Sequence, residues 1–524
     1  MSNAVYDYVI IGSGFGGSVS ALRLSEKGYK VLVIEKGKWF SADDFPKTNW
    51  ELKKWLWEPV LGLYGIFKMT LLNHITVVHG VGVGGGSLTY ANTLPIPQKK
   101  FFTSGSWGSL ADWESELKPH YDTAYRMLGA DFNPKYFDAD LAIQQIAKDI
   151  GKEDSFGPTK VGVYFGEPGK SVKDPYFNGE GPDRSGCIYC GACMTGCKHN
   201  AKNTLDKNYL YLAQKKGAEI IAEKEVFDIV PQSVDGTNQT YQVHYKNSMG
   251  FRKKKRTVTT KGIIFSGGVL GTVPLLLKLK EGSLPNLSET VGSQIRTNNE
   301  ALMLVTSTEK NNKDYSKGLA IGSILHTDEN SHLEPTRYGK GSSFFRLLTI
   351  PLSHHKNPIV RVLSLIGKIF TQPLLLLKTY FSDYSTKSTI LLFMQTLDST
   401  IRLKRGRLTK MKTVKENGPA PNAFMPEAKK LGQQFGDNVK GIPFANFTDV
   451  LLGNPTTAHI LGGAVMGEDS TNGVIDKDNK VFGYENMYVC DGSMISANPG
   501  VNPSLSITAI SELAMSKIPN KSVG

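Results

Sequence analysis

A strand, a glycine-rich turn and a helix at the start of the chain constrain its fold more than any other feature. The apolar run Tyr6–Ile11 predicts a buried strand, and residues 12–17 read G-S-G-F-G-G. Ser18–Lys27 has the pattern of a helix that ends at Gly28, and Tyr29–Glu35 predicts a second strand. A β-α-β unit of this kind is typical of a parallel, doubly wound sheet with helices on its faces.

The glycines of this turn predict a dinucleotide site. Glycine lets the backbone approach a pyrophosphate at a helix N-terminus, and Glu35 can accept a hydrogen bond from a ribose hydroxyl. The position of the unit at the N-terminus favours FAD over NAD, and a glycine turn in an unrelated α/β domain is the alternative. The predicted cofactor contacts in this unit are Gly12, Gly14, Phe15, Gly16, Gly17 and Glu35.

Two further segments are predicted to complete the nucleotide-binding sheet. The middle of the chain predicts a β-meander, with strands Val226–Val230, Tyr241–Tyr245 and Arg252–Thr260, a return strand Gly262–Phe265, and turns at Asp235-Gly236 and Met249-Gly250. Near the C-terminus, Tyr484–Asp491 predicts a strand and Ser504–Ser516 a helix. These segments favour a Rossmann-like, FAD-binding domain of the glutathione-reductase type that contains the β-meander.

We expect two domains of class α/β. A chain of 524 residues is too long for one hydrophobic core. The FAD-binding domain is predicted to comprise residues 1–95, 187–300 and 455–524, which lie apart in the sequence. Residues 96–186 and 301–454 are predicted to form an α+β substrate-binding domain.

The net charge and the N-terminal residues bear on two questions: which partners the protein binds and in which compartment it works. A net charge of +13 and a pI near 9.2 fit an anionic membrane surface or simple solubility. No run of clustered Lys and Arg with interleaved aromatic residues resembles a nucleic-acid-binding stripe, so we expect no nucleic-acid partner. Met1–Val5 lead into the first strand without a basic, apolar leader, which predicts a cytoplasmic protein.

A second glycine-rich segment predicts a loop that lies against a flat ring or a phosphate. Residues 79–87 read H-G-V-G-V-G-G-G-S, which is too rich in glycine for a helix or a strand, and a linker is the alternative. The segment continues to Asn92, and its pattern resembles the flavin-contacting loop GxGxGGGSxxxxN of the glucose-methanol-choline (GMC) oxidoreductases. Some members of that family attach FAD covalently through a nearby histidine, which makes His79 a candidate for such a link.

The C-terminal part of the chain carries the same resemblance. Residues 457–463, T-A-H-I-L-G-G, are similar to the family's active-site histidine and the glycines after it. Residues 491–493 resemble its flavin-binding D-G-S, and residues 500–503 its second catalytic position; Arg296–Asn298 and Ser266–Gly268 also agree. The resemblance implies a GMC-type substrate domain and further FAD contacts at Gly80, Gly82, Gly85, Gly86, Ser87, Asn92, Val226, Gly267, Asp491, Gly492, Asn502 and Pro503.

The resemblance also implies catalytic roles for His459 and Asn502. His459 would accept the hydroxyl proton of an alcohol while hydride passes to flavin N5, and Asn502 would orient the alcohol and polarise the flavin. Asn502 stands where many GMC enzymes have a second histidine, as in their cholesterol-oxidase-like branch. The implied substrate is therefore a bulky apolar alcohol, with a sterol or steroid 3-hydroxyl as the first candidate. Glu334 is the nearest position for that branch's isomerising carboxylate, although its surrounding motif differs, and a structural ion pair is the alternative.

Four cysteines, Cys187, Cys190, Cys193 and Cys197, have the spacing of a bacterial ferredoxin ligand run. The spacing predicts an iron–sulfur cluster, and zinc or reduced structural thiols are the alternatives. With a cluster, electrons would pass from the flavin to an external carrier or quinone, and a dehydrogenase of sugars or other polar alcohols becomes the rival function. Without a cluster, O2 is the expected acceptor. A flavin-binding electron-transfer or lipid-surface protein that has lost catalysis is the alternative from another class.

Two apolar stretches, Trp55–Leu72 and Phe344–Phe381, predict peripheral contact with a membrane. Neither offers the roughly 20 uninterrupted apolar residues of a membrane span, because single charges and prolines interrupt them. Interfacial attachment is the prediction, and a lid packed on the protein's own core is the alternative. The residues predicted to rest on anionic lipid are Lys356, Arg361, Lys368 and Lys378.

Overall fold

The predicted β-α-β unit lies at the centre of the first sheet. The computed structural model describes residues 5–234, 238–353, 355, 357–406 and 411–522. Val5–Ile11 lies between Val31–Ile34 and Lys255–Phe265 and runs parallel to both. In spatial order the strands are Glu219–Ile221, Val31–Ile34, Val5–Ile11, Lys255–Phe265, Asn238–Asn247 and Lys224–Val234, and Met487–Val489 also pairs with Lys255–Phe265.

Glycine sets the distance between the first helix and this sheet. The helix Phe15–Glu26 begins three residues before its predicted start, within the glycine turn. Gly12 has φ +101°, and a Cβ on it would lie 2.3 Å from the Ser266 carbonyl oxygen. A Cβ on Gly16 would lie 1.8 Å from the carbonyl oxygen of Cys490, so this close packing requires glycine.

The β-meander differs from the prediction at its third strand. The predicted third strand and return strand form one continuous strand, Lys255–Phe265. It pairs antiparallel with Asn238–Asn247 and, from Thr259 onward, parallel with Val5–Ile11. The strand does not break at Lys261, because one straight strand can pair with Asn238–Asn247 along one part of its length and with Val5–Ile11 along another. The turn at Met249-Gly250 is present, and the predicted turn at Asp235-Gly236 lies outside the described residues.

A second sheet forms one wall of the cavity described below. In spatial order its strands are Thr349–Pro351, Gly441–Asn446, Ala301–Ser307, Ser388–Gln395, Ser331–Thr336, Ser323–His326 and Phe156–Pro158. Side chains alternate between its faces. Met303 and Val305 pack in a core with the helices Asp138–Asp149 and Pro426–Asn438, whereas Leu302 and Leu304 line the cavity. The division of the chain into two domains stays a prediction.

The remaining elements are short strands and helices. One three-stranded sheet contains Thr456–Thr457, Thr76–Gly80 and Phe67–Leu71, and another contains Ile295–Arg296, Thr400–Arg405 and Met411–Lys415. Three two-stranded sheets pair Ser171–Val172 with Arg184–Ser185, Trp57–Glu58 with Leu63–Tyr64, and Ala130–Phe132 with Lys160–Gly162. The other helices are Leu52–Trp55, Lys99–Thr103, Trp113–Met127, Tyr209–Lys215, Val269–Lys280, Pro358–Thr371, Pro373–Phe381, Tyr384–Lys387 and Ser504–Ser516. The last of these has its predicted bounds.

Candidate active site

A cavity of about 860 Å³ is lined by residues of both large sheets. One end is lined by the glycine turns and by polar groups of the first sheet. The other end is apolar and includes side chains of the second sheet and of two neighbouring segments. These apolar residues include Phe67, Met69, Val78, Leu302, Leu304, Ile321, Tyr338, Phe345, Ile390 and Leu392.

The N-terminal turn presents an anion site to this cavity. Gly12, Gly14, Phe15, Gly16 and Glu35 line the cavity. Within the described residues no side chain caps the N-terminus of the following helix, so its first N–H groups remain available to a phosphate. Glu35 is held in place because Oε2 accepts from the backbone N–H of Ser13 at 3.0 Å and Oε1 from that of Gly37 at 2.8 Å.

The second glycine loop touches the first. A Cβ on Gly85 would lie 2.7 Å from Cα of Gly14, so only glycine allows this contact. Gly80, Gly85 and Gly86 line the cavity. The predicted contacts Gly17, Gly82, Ser87 and Asn92 are not part of the cavity lining. The Ser87 hydroxyl donates to the carbonyl of Gly84 at 2.6 Å, and Asn92 is fully buried with φ +72°.

Asp491 closes the polar end of the cavity. Its Oδ2 accepts from the backbone N–H of Gly268 at 2.8 Å and from the Thr272 hydroxyl, and Oδ1 accepts from the N–H of Ser493. Burial raises the pKa of Asp491. The predicted contacts Val226, Gly267, Gly492, Asn502 and Pro503 line the same cavity. Glycine turns that leave room for a pyrophosphate and an uncapped helix N-terminus suit FAD.

The structure brings the two predicted catalytic residues together. The Asn502 side-chain nitrogen Nδ2 lies 3.4 Å from Nε2 of His459, and both residues line the cavity. Asn502 Oδ1 is buried without a hydrogen-bond partner among the described residues.

Glu300 is a site residue that the sequence patterns did not indicate. Its Oε2 lies 3.2 Å from Nδ1 of His459, and its side chain is 1% exposed. The Thr457 hydroxyl donates to the other carboxylate oxygen and accepts from the backbone N–H of His459 at 2.9 Å. Because Nδ1 faces a carboxylate, it carries the proton, and Nε2 is left as the acceptor toward Asn502 and the cavity.

Two further buried carboxyls lie near this pair. Burial raises the pKa of Glu334 to about 8; the Asn502 side chain opposes this rise, and the neighbouring Glu300 adds to it. Both Glu334 oxygens lack a hydrogen-bond partner among the described residues, and His332 Nε2 is 3.9 Å from Oε1, beyond hydrogen-bond distance. Burial raises the pKa of Asp449 to about 7. Glu334 is not part of the cavity lining, but it lies beside Asn502, which is.

His79 lines the cavity beside the second glycine loop. Its Nδ1 lies 3.3 Å from the carbonyl oxygen of Gly80, which leaves Nε2 as the acceptor atom. Burial lowers the pKa of His79 to about 3, so the ring is neutral. Covalent attachment of FAD at this residue stays a hypothesis.

The iron–sulfur interpretation is not supported. Across the described ranges, no three His, Cys, Asp or Glu side chains are grouped so that they could hold one metal ion. The cysteine segment pairs with Gly318: the N–H of Gly191 donates to the Gly318 carbonyl, and the N–H of Gly318 donates to the carbonyl of Tyr189. Burial raises the pKa of Cys187, Cys193 and Cys190, the last to about 11, so without a bound metal these side chains are thiols at neutral pH.

Lys202 connects the cysteine segment to the end of the second glycine loop. The Lys202 ammonium donates to the carbonyl oxygens of Leu88, Tyr90 and Cys193 at 3.1, 2.8 and 2.9 Å. These bonds hold the segment against the end of the second glycine loop. A structural role for reduced cysteines, including Cys197, therefore agrees with the geometry.

Three family models and several known proteins match this chain. Residues 181–295 and 422–511 match models of GMC oxidoreductases, and residues 10–43 match a NAD(P)-binding Rossmann-like domain. A cholesterol oxidase of Acinetobacter baumannii is 43% identical over 99% of this chain and 96% of its own length. One from Mycobacterium tuberculosis is 43% identical over 98% of this chain and 91% of its own. A pyridoxine 4-oxidase from Mesorbium loti shares the fold, with a TM-score of 0.60, 13% identity and coverage of 98% and 99% of the two chains.

Proposed function

The chain belongs to the GMC oxidoreductase family, in its cholesterol-oxidase-like branch, and is an FAD-dependent alcohol oxidoreductase; on that premise we propose that its substrate is a bulky apolar alcohol, first of all one with a sterol or steroid 3-hydroxyl. One observation carries this proposal. His459 and Asn502 lie 3.4 Å apart at a cavity whose other end is lined by Leu, Ile, Phe and Met side chains. Such a wall favours a large apolar molecule over a sugar, whose hydroxyls would lose hydrogen bonds there.

The site residues supply proton transfer and orientation. His459 Nε2 accepts the hydroxyl proton as the O–H bond breaks, and the Asn502 amide binds the alcohol oxygen and holds it toward the imidazole. Glu300 stabilises the imidazolium that forms. FAD, when bound, accepts the hydride of the carbinol carbon, so that an alcohol becomes a ketone or an aldehyde.

We propose O2 as the electron acceptor. The cluster that would have carried electrons to a quinone or carrier has no support in the cysteine geometry, and this weakens the rival function of a sugar dehydrogenase with an iron–sulfur centre. The non-catalytic alternative is disfavoured because His459 retains an acceptor nitrogen toward the cavity. Peripheral contact with a membrane, where apolar alcohols of this class reside, is also part of the proposal, and cytoplasmic location stays a prediction.

Anaerobic flavin reduction tests the proposal. A sterol, a long-chain alcohol and glucose would each be mixed with the holoprotein, and bleaching of the flavin absorbance would be followed. We expect the sterol and the long-chain alcohol to bleach the flavin, and His459→Ala to slow this step by about 100-fold to 10,000-fold with its flavin content unchanged. Rapid bleaching by glucose without response to either apolar alcohol would contradict the substrate assignment. Equal rates for wild type and His459→Ala would contradict the mechanism.

A further inference from the structure

Two consecutive helices, Pro358–Thr371 and Pro373–Phe381, present an apolar face to solvent. We call this pair the elbow, because its helices meet at 88°. Its outer face includes six apolar side chains that are 53% to 79% exposed: Ile359, Leu363, Phe370, Leu374, Leu377 and Phe381. Exposed apolar surface of this extent marks an interaction site. Within the described residues no single helix is long and apolar enough to cross a membrane, although the bent pair meets that criterion jointly.

Two of the three cations of the elbow, both on its first helix, turn inward. The Arg361 guanidinium donates to the carbonyl oxygens of His355 and Leu451 at 3.0 and 3.2 Å, and Arg361 is only 4% exposed. The Lys368 ammonium donates to the carbonyl of Leu352. The prediction that these side chains rest on anionic lipid is therefore wrong, since their charges are bound by the protein's own backbone. Lys356 lies outside the described residues, and Lys378 is exposed near the end of the second helix.

The inner side of the elbow adjoins the wall of the cavity. Leu375 and Leu376 pack against a cluster that contains Leu304, which lines the cavity. The first helix packs on residues 448–452, directly after the cavity-lining Asn446. The elbow is thus continuous with the apolar end of the site on two sides.

We propose that the elbow inserts its outer face into the hydrocarbon of a lipid bilayer and that lipid-soluble alcohol reaches the cavity beneath it. The inference rests on the proposed function for the identity of the cargo. Because two of its three cations face inward and only Lys378 is exposed, hydrophobic burial rather than attraction to anionic head groups holds the elbow at the membrane. A second copy of the chain on this face would cover the apolar approach to the cavity, which a membrane-borne substrate needs.

Vesicle binding tests this inference. Holoprotein would be sedimented with phosphatidylcholine vesicles, which carry no net charge, at low and at high ionic strength. We expect wild type to bind equally at both, because screening weakens charge interactions and leaves hydrophobic burial intact. Phe370→Ser combined with Phe381→Ser should lower the partition coefficient by at least about tenfold. Both side chains are 79% exposed, so the fold should be unaffected.

Leu141→Ser is the matched control, because Leu141 is 49% exposed on the helix Asp138–Asp149, which packs at the other end of the second sheet. This variant should bind vesicles as wild type does. The inference is overturned if wild type fails to bind, if binding requires anionic lipid and is lost in high salt, or if the double variant binds normally. A wild-type dimer that the double variant dissociates without lipid would identify a second copy as the occupant and overturn it as well. Turnover of detergent-dispersed alcohol, measured on the same samples, tests the proposed function separately.

Discussion

Replacing Glu300 by Gln tests whether the negative charge of the side chain beside His459 Nδ1 matters for the reaction, because Gln has the same shape without the charge. The two atoms Oε2 and Nδ1 lie 3.2 Å apart, and the side chains are 1% and 12% exposed. Gln keeps the shape and can still accept the Nδ1–H hydrogen bond, but the negative charge opposite the imidazolium is lost. Two unit charges about 4 Å apart attract by about 4 kcal/mol at an effective dielectric constant of about 20, and the retained hydrogen bond returns part of that.

We therefore expect Glu300→Gln to slow flavin reduction by about 30-fold to 1,000-fold, which corresponds to about 2 to 4 kcal/mol. Anaerobic stopped-flow measurements over a range of alcohol concentrations give the limiting rate and the Kd separately. The loss should fall on the limiting rate, because Glu300 contacts the imidazole and not the substrate. Glu300→Asp keeps the charge and should recover part of the rate.

Thr457→Val serves as a control, because it removes a hydroxyl that supports Glu300 and leaves the charge in place. Its effect should be smaller than that of Glu300→Gln. The reasoning is refuted if Glu300→Gln changes the limiting rate by no more than about twofold, or if it acts only through flavin content or Kd. Glu300 would then be a structural carboxylate.

The remaining predictions concern the buried acid and the cysteines. The pKa of Glu334 is raised from the ordinary glutamate value of 4.5 to about 8 in the folded protein. Wild type should therefore lose stability as the pH rises from 4.5 through 8, because only the unfolded chain is ionised at Glu334 in that range. Glu334→Gln cannot ionise and should show a smaller fall in Tm between pH 6 and pH 9; an equal fall would place the titrating group elsewhere. Protein purified without oxygen should contain flavin without stoichiometric iron or acid-labile sulfide, and a cluster-like iron content would restore the electron-carrier interpretation.

Local patterns were sufficient for the cofactor end of the molecule. The glycine turn, Glu35 and the second glycine loop are each determined within a few residues, because glycine conformation and strand periodicity are local properties. The helix Ser504–Ser516 agrees with its prediction at both ends. The meander strand was split incorrectly at Lys261, since no local signal shows that one strand can change partners along its length.

Contacts between distant segments could not be predicted in the same way. Glu300 and His459 are 159 positions apart, and nothing near either residue indicates that they meet. The cysteine spacing indicates how far apart the thiols are in sequence but not the path of the backbone between them. That backbone pairs at Cys190 with Gly318, a residue far away in the sequence. Arg361 and Lys368 are seven residues apart, so helical periodicity places them on one face, but it does not show which face is covered.

The buried carboxyls of the site fit the charge that the reaction produces. FAD, when bound, would gain negative charge on accepting hydride, and ionised carboxylates close to it would oppose that gain. Burial raises the pKa of Glu334 to about 8 and that of Asp449 to about 7, so both lose much of their negative charge near neutral pH. Glu300, which contacts the imidazole directly, has a compensating partner when Nε2 accepts the proton. The arrangement thus separates Glu300, which contacts His459, from two acids whose negative charge burial reduces near neutral pH.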